Sequence, residues 1–378
     1  MKCKIKDIVL RVKDKVSLDC GLKYYVGGEH FDNGEILVKK HGDIQGSTIG
    51  PAFHMRFRPN QVLLMSRNPH LRKAGMVDFE GVCSDVSYVC ETRNERKFKQ
   101  KLIPFLFQSD KFWTMAEQNK RGSTNFFLNW SDFEEFEMNI PDPSKQEKLC
   151  ALLWQMENTK QAYKNLLQKT DDMVKAKFEE MFGNKEEGFK YQTIKLKDVC
   201  NFKTGGTPSR KHPEFFGGQI PWITTIALCK DFISEKDAQD FLTKEGIENS
   251  TTHVIPKNSL LFGCRVGVGK SSINTCEICT NQDVVALIGV NPKKFDLLFI
   301  KKVLEQYNDY FDLQKRGATI KGIPVQVIKD VDIPCPSLDI QKEFTDCAQQ
   351  IAKSKQQLQK SLDILNTMMR ALINQSFN

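Results

Sequence analysis

The sequence predicts an α+β fold: two mixed globular domains joined by two long antiparallel coiled-coil helices, with an internal pseudo-twofold repeat. Three observations predict it. Pairs of segments recur in the same order roughly 190–195 residues apart, too long a period for a solenoid and right for a duplicated domain. Each copy ends in a stretch with apolar residues at heptad spacing. The remainder alternates short β-rich runs with turn-rich loops.

The repeat is carried by four pairs. Lys4-Ile5-Lys6-Asp7-Ile8 matches Lys195-Leu196-Lys197-Asp198-Val199, and Lys120-Arg121-Gly122-Ser123-Thr124 matches Lys315-Arg316-Gly317-Ala318-Thr319. Ile140-Pro141-Asp142-Pro143-Ser144 matches Ile333-Pro334-Cys335-Pro336-Ser337, and 146–182 aligns with 341–377 without a gap, with identities that include Gln146/Gln341 and Lys160/Lys355. The expected divisions are therefore 1–143, a globular domain; 144–184, a helix; 185–336, a second globular domain; and 337–378, a second helix.

In the second helix Phe344, Ile351, Leu358 and Leu365 recur every seven residues, with Leu362 four residues on from Leu358. The first helix offers Leu149, Leu153, Met156, Tyr163 and Leu167 at comparable places. Each follows a Pro-x-Pro-Ser turn, where proline ends the strand and serine caps. A 39-residue helix spans about 58 Å, and a one-sided apolar stripe of that length needs a partner. The expectation is that the two copies pair, with Lys160 and Lys355 on the seam fixing register at some cost in stability. The alternative is that each helix packs on its own globular domain.

In the globular parts, Asn60–Met65, Ser259–Gly263 and Asp283–Ile288 read as strands, and 296–311 as helical. With 378 residues, 40% hydrophobic and 27% charged, the chain has the composition of a globular protein with a real core. No apolar run approaches the ~20 residues of a membrane helix, and the lysine-rich N-terminus has no apolar signal core. The expected location is cytoplasmic. A net charge of +8 is compatible with nucleic acid without establishing it. Twelve scattered cysteines read as reduced, mostly buried thiols. Cys276-x-x-Cys279 lacks a second pair at zinc spacing, so no metal site is expected.

Gly263-Cys264-Arg265-Val266-Gly267-Val268-Gly269-Lys270-Ser271 imitates a phosphate-binding loop, but five residues separate the first glycine from Gly-Lys-Ser where the pattern has four. The better account is a strand turning through glycine, so that Arg265 and Lys270 project from a tight loop. Ser66–Gly75 is its counterpart, carrying Arg67, Arg72 and Lys73 after a strand. Thr204–Lys211, with Thr207, Ser209 and Arg210, is a third loop combining glycines, hydroxyls and cations. Arginine suits such loops because its planar fork grips phosphate or a guanine edge bidentately. His54, His70, His212 and His253 show no ligand spacing. There is no Asn/Asp-Pro-Pro-aromatic motif of base methyltransferases, no clear nuclease carboxylate–lysine cluster and no glycine-rich cofactor loop after a first strand. The chain reads as a recogniser without catalytic residues or a cofactor of its own.

The residues resemble the DNA-specificity subunit of type I restriction–modification systems over essentially the whole chain. In the second half the resemblance rests on Thr204–Ser209, Phe216–Ile223, Arg265–Lys270 and Thr280-Asn281-Gln282-Asp283. In the first it rests on Ser66–Lys73, Asp78–Ser84 and Asn129–Asp132, and in both on the Ile-Pro-x-Pro-Ser turn before each long helix. It implies two target-recognition domains, each reading half of a bipartite, asymmetric double-stranded DNA site, with helices that set the gap. It also implies two adenine-methylating modification subunits, which bind S-adenosylmethionine, and restriction subunits that use ATP and magnesium. The expected DNA contacts are Arg67, Arg72, Lys73, Lys120 and Arg121 in the first domain. In the second they are Thr207, Ser209, Arg210, Arg265, Lys270, Arg316 and Lys321. Three other readings stay open: a methyltransferase fusion or unfamiliar nuclease, an assembly scaffold without DNA selectivity, and the specificity subunit of a system with a fused methylase–nuclease partner.

Overall fold

The computed structural model describes residues 1–378 except Asp19–Cys20, Thr124–Asn125 and Ala318–Ile320. Helix and strand are mixed throughout, and the chain divides into two compact units: Met1–Leu166 with Gln357–Asn378, and Leu167–Gln356. Both long helices are divided between the units, a partition that differs from domain-then-helix boundaries. The physical reason is burial. In the first unit Leu153 of the helix Pro143–Phe182 and Met369, Ile373 and Phe377 at the C-terminal end of the chain all enter one core with Phe105, Phe112 and Trp113. In the second unit Phe178 and Phe182 of the first long helix join Phe344 and Ala348 of the helix Leu338–Ser376 in a core with Phe262 and Phe299.

The units repeat one topology. In the first, strands Val9–Val12, Ser87–Thr92, Val62–Met65 and Ala74–Met76 lie side by side in that order, all antiparallel. In the second, Asn201–Thr204, Val284–Ile288, Leu260–Gly263 and Ser271–Asn274 lie in the matching order, with Phe232–Ile233 added at the edge. A parallel pair recurs as well: Tyr24–Val26 with Gly81–Ser84, and Phe216–Ile223 with Cys279–Thr280. Central strands such as Val62–Met65 and Leu260–Gly263 are buried at every residue, because other elements cover both faces.

A short antiparallel pair precedes each long helix: Lys2–Lys4 with Glu137–Asn139, and Thr193–Lys195 with Asp332–Pro334. Pro143 opens the first long helix, where its missing N–H costs nothing. In the first unit the chain ends are neighbours. The Met1 ammonium donates to Ile140 O (2.7 Å), and Asn139 N–H donates to Asn378 O (2.8 Å).

Within the second unit the long helices run antiparallel, since position 171 of one faces 355 of the other while Phe178 meets Phe344 at 5.5 Å between ring centres. Lys355 Nζ donates to both oxygens of Asp171 (2.5 and 2.7 Å), a helix-to-helix pair open to solvent. Ile351, Lys355, Leu358, Leu365, Tyr163 and Leu167 are half-buried, whereas Leu153, Phe344 and Leu362 are buried. Leu149 and Met156 are partly buried against the first core.

Lys160 corrects the expectation of a seam lysine. It is 4% exposed and lies 3.0 Å from Glu35 and 2.9 Å from Glu157, so it ties the helix to a loop of its own globular domain. Glu35 also accepts from Lys164 (2.7 Å). Burial pushes the Lys160 ammonium down and the Glu35 carboxyl up. The charges outweigh burial: Glu157 and then Glu35 hold the Lys160 ammonium above its usual value, and Lys160 and Lys164 hold the Glu35 carboxyl below its own. The equivalent of Glu157 in the second copy is Ala352, which leaves Lys355 to reach the other helix.

Candidate nucleic-acid interface

In each unit a hairpin between two buried strands presents a basic loop, and the Lys-Arg-Gly segment folds back beside it. In the first unit Ser66 N–H donates to Val86 O (2.9 Å), Leu128 N–H to Ser66 O (2.9 Å) and Asn68 N–H to Phe126 O (2.8 Å). Arg121 and Phe127 exchange two backbone hydrogen bonds (2.8 and 3.0 Å). In the second unit Cys264 N–H donates to Asp283 O (2.8 Å) and Ile323 N–H to Cys264 O (2.7 Å), while Arg316 and Gly322 exchange the matching pair (2.8 and 2.9 Å). Thr124, Ala318 and Thr319 of the repeated segment lie outside the described residues.

The hairpin settles the glycine-rich sequence in the second unit. Leu260–Gly263 returns antiparallel as Ser271–Asn274, so no helix begins where a phosphate-binding loop would place one. The loop turns through Gly267 and Gly269 at φ +73° and +89°. A Cβ on Gly269 would also collide with Asn308.

The Thr204–Lys211 loop joins the same place through Thr280–Asp283. Gly206 N–H donates to Thr280 O (2.8 Å), Gly205 N–H to Val284 O (3.2 Å), and the Thr207 hydroxyl pairs with Gln282. A Cβ on Gly205 would strike the carbonyls of Thr280 and Asn281, which is why glycine stands there. Thus 205–207 and Cys264 converge on the segment 280–284, with Ile323 bonded to Cys264 beside them. Among the described residues no cluster of three or more His, Cys, Asp or Glu could hold a metal, and no helix is long and apolar enough to cross a membrane.

The structure sorts the twelve expected contact residues into two groups. Arg67, Arg265, Lys270, Arg316 and Lys321 are exposed and have no carboxylate partner among the described residues. Arg67 lines a groove of about 330 Å³ with Gly28, Phe53 and Lys73.

The others are engaged within their own domain, which the sequence did not disclose. Arg72 pairs with Asp110 (2.6 Å), and Lys73 Nζ donates to Gly28 O (2.7 Å). Lys120 pairs with Glu117 (2.7 Å) and lies over the Phe126 ring. Arg121 binds Asp132 through Nε (2.9 Å) and Nη2 (2.7 Å). Arg210 pairs with Asp240 (2.7 Å) above the Phe216 ring. The Ser209 hydroxyl accepts from Lys211 N–H (3.3 Å), a local turn. The partners of Arg72, Arg121 and Arg210 are 38, 11 and 30 residues away, and no spacing rule marks them.

Exposed pairs of this kind are worth only about 0–1 kcal/mol, so Asp132 and Asp240 orient Arg121 and Arg210 without adding much stability. Cys279 is buried in its strand with Trp222 and Leu242 while Cys276 is half-buried, so the pair sits in the packing of the domain.

Comparison with known proteins places this geometry. Residues 189–366 match the family model described as the type I restriction modification DNA specificity domain. A stretch of 179 residues, 46% of this chain and 41% of the relative, is 28% identical to the type I restriction enzyme MjaIX specificity subunit of Methanocaldococcus jannaschii. A stretch of 233 residues is 22% identical to the EcoR124I/EcoR124II specificity subunit of Escherichia coli, covering 57% of this chain and 55% of that one. The chain thus spans about half the length of the curated relatives it matches.

The fold extends over the full length. A chain solved in work on the assembly and conformational transition of a type I restriction–modification system superposes with a TM-score of 0.60 at 16% identity, covering 100% of this chain and 97% of that one. The specificity subunit from M. genitalium gives 0.58 at 12% identity, with 100% and 96% covered. The duplicated mixed fold is therefore shared with those two chains. Residues 189–366 are thus similar to the type I specificity domain, and the chain is similar in sequence over about half its length to type I specificity subunits.

Proposed function

We propose that the chain is a non-catalytic specificity subunit that reads a bipartite, asymmetric site in double-stranded DNA, one half-site per globular domain. The observation that carries this reading is the duplicated hairpin loop, which offers an exposed arginine without a carboxylate partner in each unit: Arg67 in one, Arg265 in the other. An unpaired guanidinium retains all its donors for guanine O6 and N7 or for phosphate. Lys270, Arg316 and Lys321 add phosphate-neutralising charge.

The long helices, of 40 and 39 residues, set the gap between half-sites. At 1.5 Å per residue each spans about 60 Å, enough for two readings one DNA turn, ~34 Å, apart. The complex acts in the cytoplasm and includes two modification subunits, which supply S-adenosylmethionine chemistry on adenine, and restriction subunits that use ATP and magnesium.

The test is an adenine-methylation map of cells expressing this chain with its modification partner, against cells with the partner alone. The expected result is a new split motif with two defined halves and a fixed gap. An unchanged map from an assembled complex would overturn the reading.

A further inference from the structure

The side chain of Arg72 turns away from solvent to Asp110, the first residue of the helix Asp110–Gln118. Asp110 accepts from Arg72 Nη1 (2.6 Å), from Arg370 Nη2 (3.0 and 3.1 Å) and Nε (3.2 Å), and from Asn374 Nδ2 (2.5 Å). Its own N–H donates to Asn374 Oδ1 (2.8 Å). Burial works against the charged carboxylate, yet the bonds from Arg370, Arg72 and Asn374 hold the carboxyl at about 2. One carboxylate therefore joins the basic loop of the first domain to two residues near the end of the C-terminal helix.

The loop needs such a tether. Asn68 and Arg72, which flank the turn Pro69–Leu71, both adopt left-handed backbone at φ +51° and +50°. Residues with a Cβ persist there only where their surroundings hold them. Gln108 adds to the hold by donating to Arg72 O (3.3 Å) and Ala74 O (2.7 Å). The second domain makes the equivalent turn with Gly267 and Gly269, which adopt positive φ without a tether.

We propose that Asp110 is a positioning residue for base recognition: it fixes the loop Ser66–Lys73 against Arg370 and Asn374, so that Arg67 is presented in one pose. The inference rests on the two-reader function above. It makes the selectivity of one half-site depend on a cluster that contains two residues of the C-terminal helix, Arg370 and Asn374.

The experiment uses the full chain with its modification partner and selects binding duplexes from a randomised DNA pool. Asp110→Asn is expected to lower discrimination at one half-site about tenfold, with the other half-site unchanged. Affinity for non-specific DNA and its salt dependence stay as in wild type, because no phosphate contact is lost. Arg370→Ala spares the Arg72–Asp110 pair and produces a smaller loss at the same half-site, which Arg370→Lys largely recovers. Wild-type preferences at both half-sites in Asp110→Asn and Arg370→Ala would overturn the proposal. So would an equal loss at both, the signature of a damaged fold. A wild-type chain that selects no two-part site would instead overturn the reading beneath it.

Discussion

Gln146 and Gln341 make the same three hydrogen bonds at the start of the two long helices. The Gln146 amide donates to Lys97 O (2.9 Å) and Pro141 O (3.0 Å) and accepts from Lys99 N–H (3.0 Å). The Gln341 amide donates to Lys294 O (2.9 Å) and Pro336 O (3.0 Å) and accepts from Asp296 N–H (2.9 Å). Both side chains are buried. Each stitches a helix to a loop of the preceding globular domain, so the glutamine shared by the two copies marks the joint between domain and rod.

Truncating either glutamine leaves buried backbone groups without partners, at about 1–3 kcal/mol. Gln146→Ala and Gln341→Ala are each expected to destabilise by roughly 2 kcal/mol in urea unfolding. Hydrogen exchange should open at 97–99 in the first variant and at 294–296 in the second. Equal, unlocalised effects would contradict the joint.

Lys160 and Lys355 occupy one repeat position in different surroundings. Lys160→Ala leaves Glu157, which is fully buried, beside an empty place and should cost about 3–5 kcal/mol. Lys355→Ala removes an exposed pair and should cost less than about 1 kcal/mol. Chemical denaturation of the two variants measures the contrast, and similar losses would remove it.

Glu35 supplies a pH test. Its carboxyl is held below its ordinary value of 4.5 by Lys160 and Lys164, against the opposing effect of burial. A lowered carboxyl pKa adds stability above the unfolded value, and that stability is lost as pH falls through the folded value. Glu35→Gln should therefore destabilise the protein at pH 7, with the gap from wild type closing as pH falls below 4.5. A gap constant down to acid pH would sink the argument.

For DNA, Arg265→Ala is expected to relax one half-site by about 1–3 kcal/mol and leave the other unchanged. Lys270→Ala should weaken all sequences alike and reduce the salt slope by about 1. Arg121→Ala, whose guanidinium is already spent on Asp132, should change DNA affinity least of the three. Binding titrations at several salt concentrations with matched and mismatched half-sites separate these outcomes.

Much of this was legible in the sequence. The repeat found the equivalent sheets, and the Pro-x-Pro-Ser turns located both long helices to within two residues, because proline and heptad spacing act locally. Strand-then-basic-loop patterns found both hairpins for the same reason. What stayed hidden depends on tertiary partners. Nothing near Arg72 announces Asp110, nothing near Arg210 announces Asp240, and the different fates of Lys160 and Lys355 turn on Glu35 and Asp171. Sequence spacing shows where cations lie along a loop; only the fold shows which of them are already neutralised.

The short strand pair before each long helix carries the same backbone bond in both units: Ile140 N–H donates to Met1 O (2.8 Å), and Cys335 N–H to Gln192 O (2.9 Å). The strand that enters each globular domain is thereby clamped to the strand that leaves it, at the root of the following helix. Entry and exit share one hinge point, so a strain on either strand is felt at the base of the helix and not within the domain's sheet.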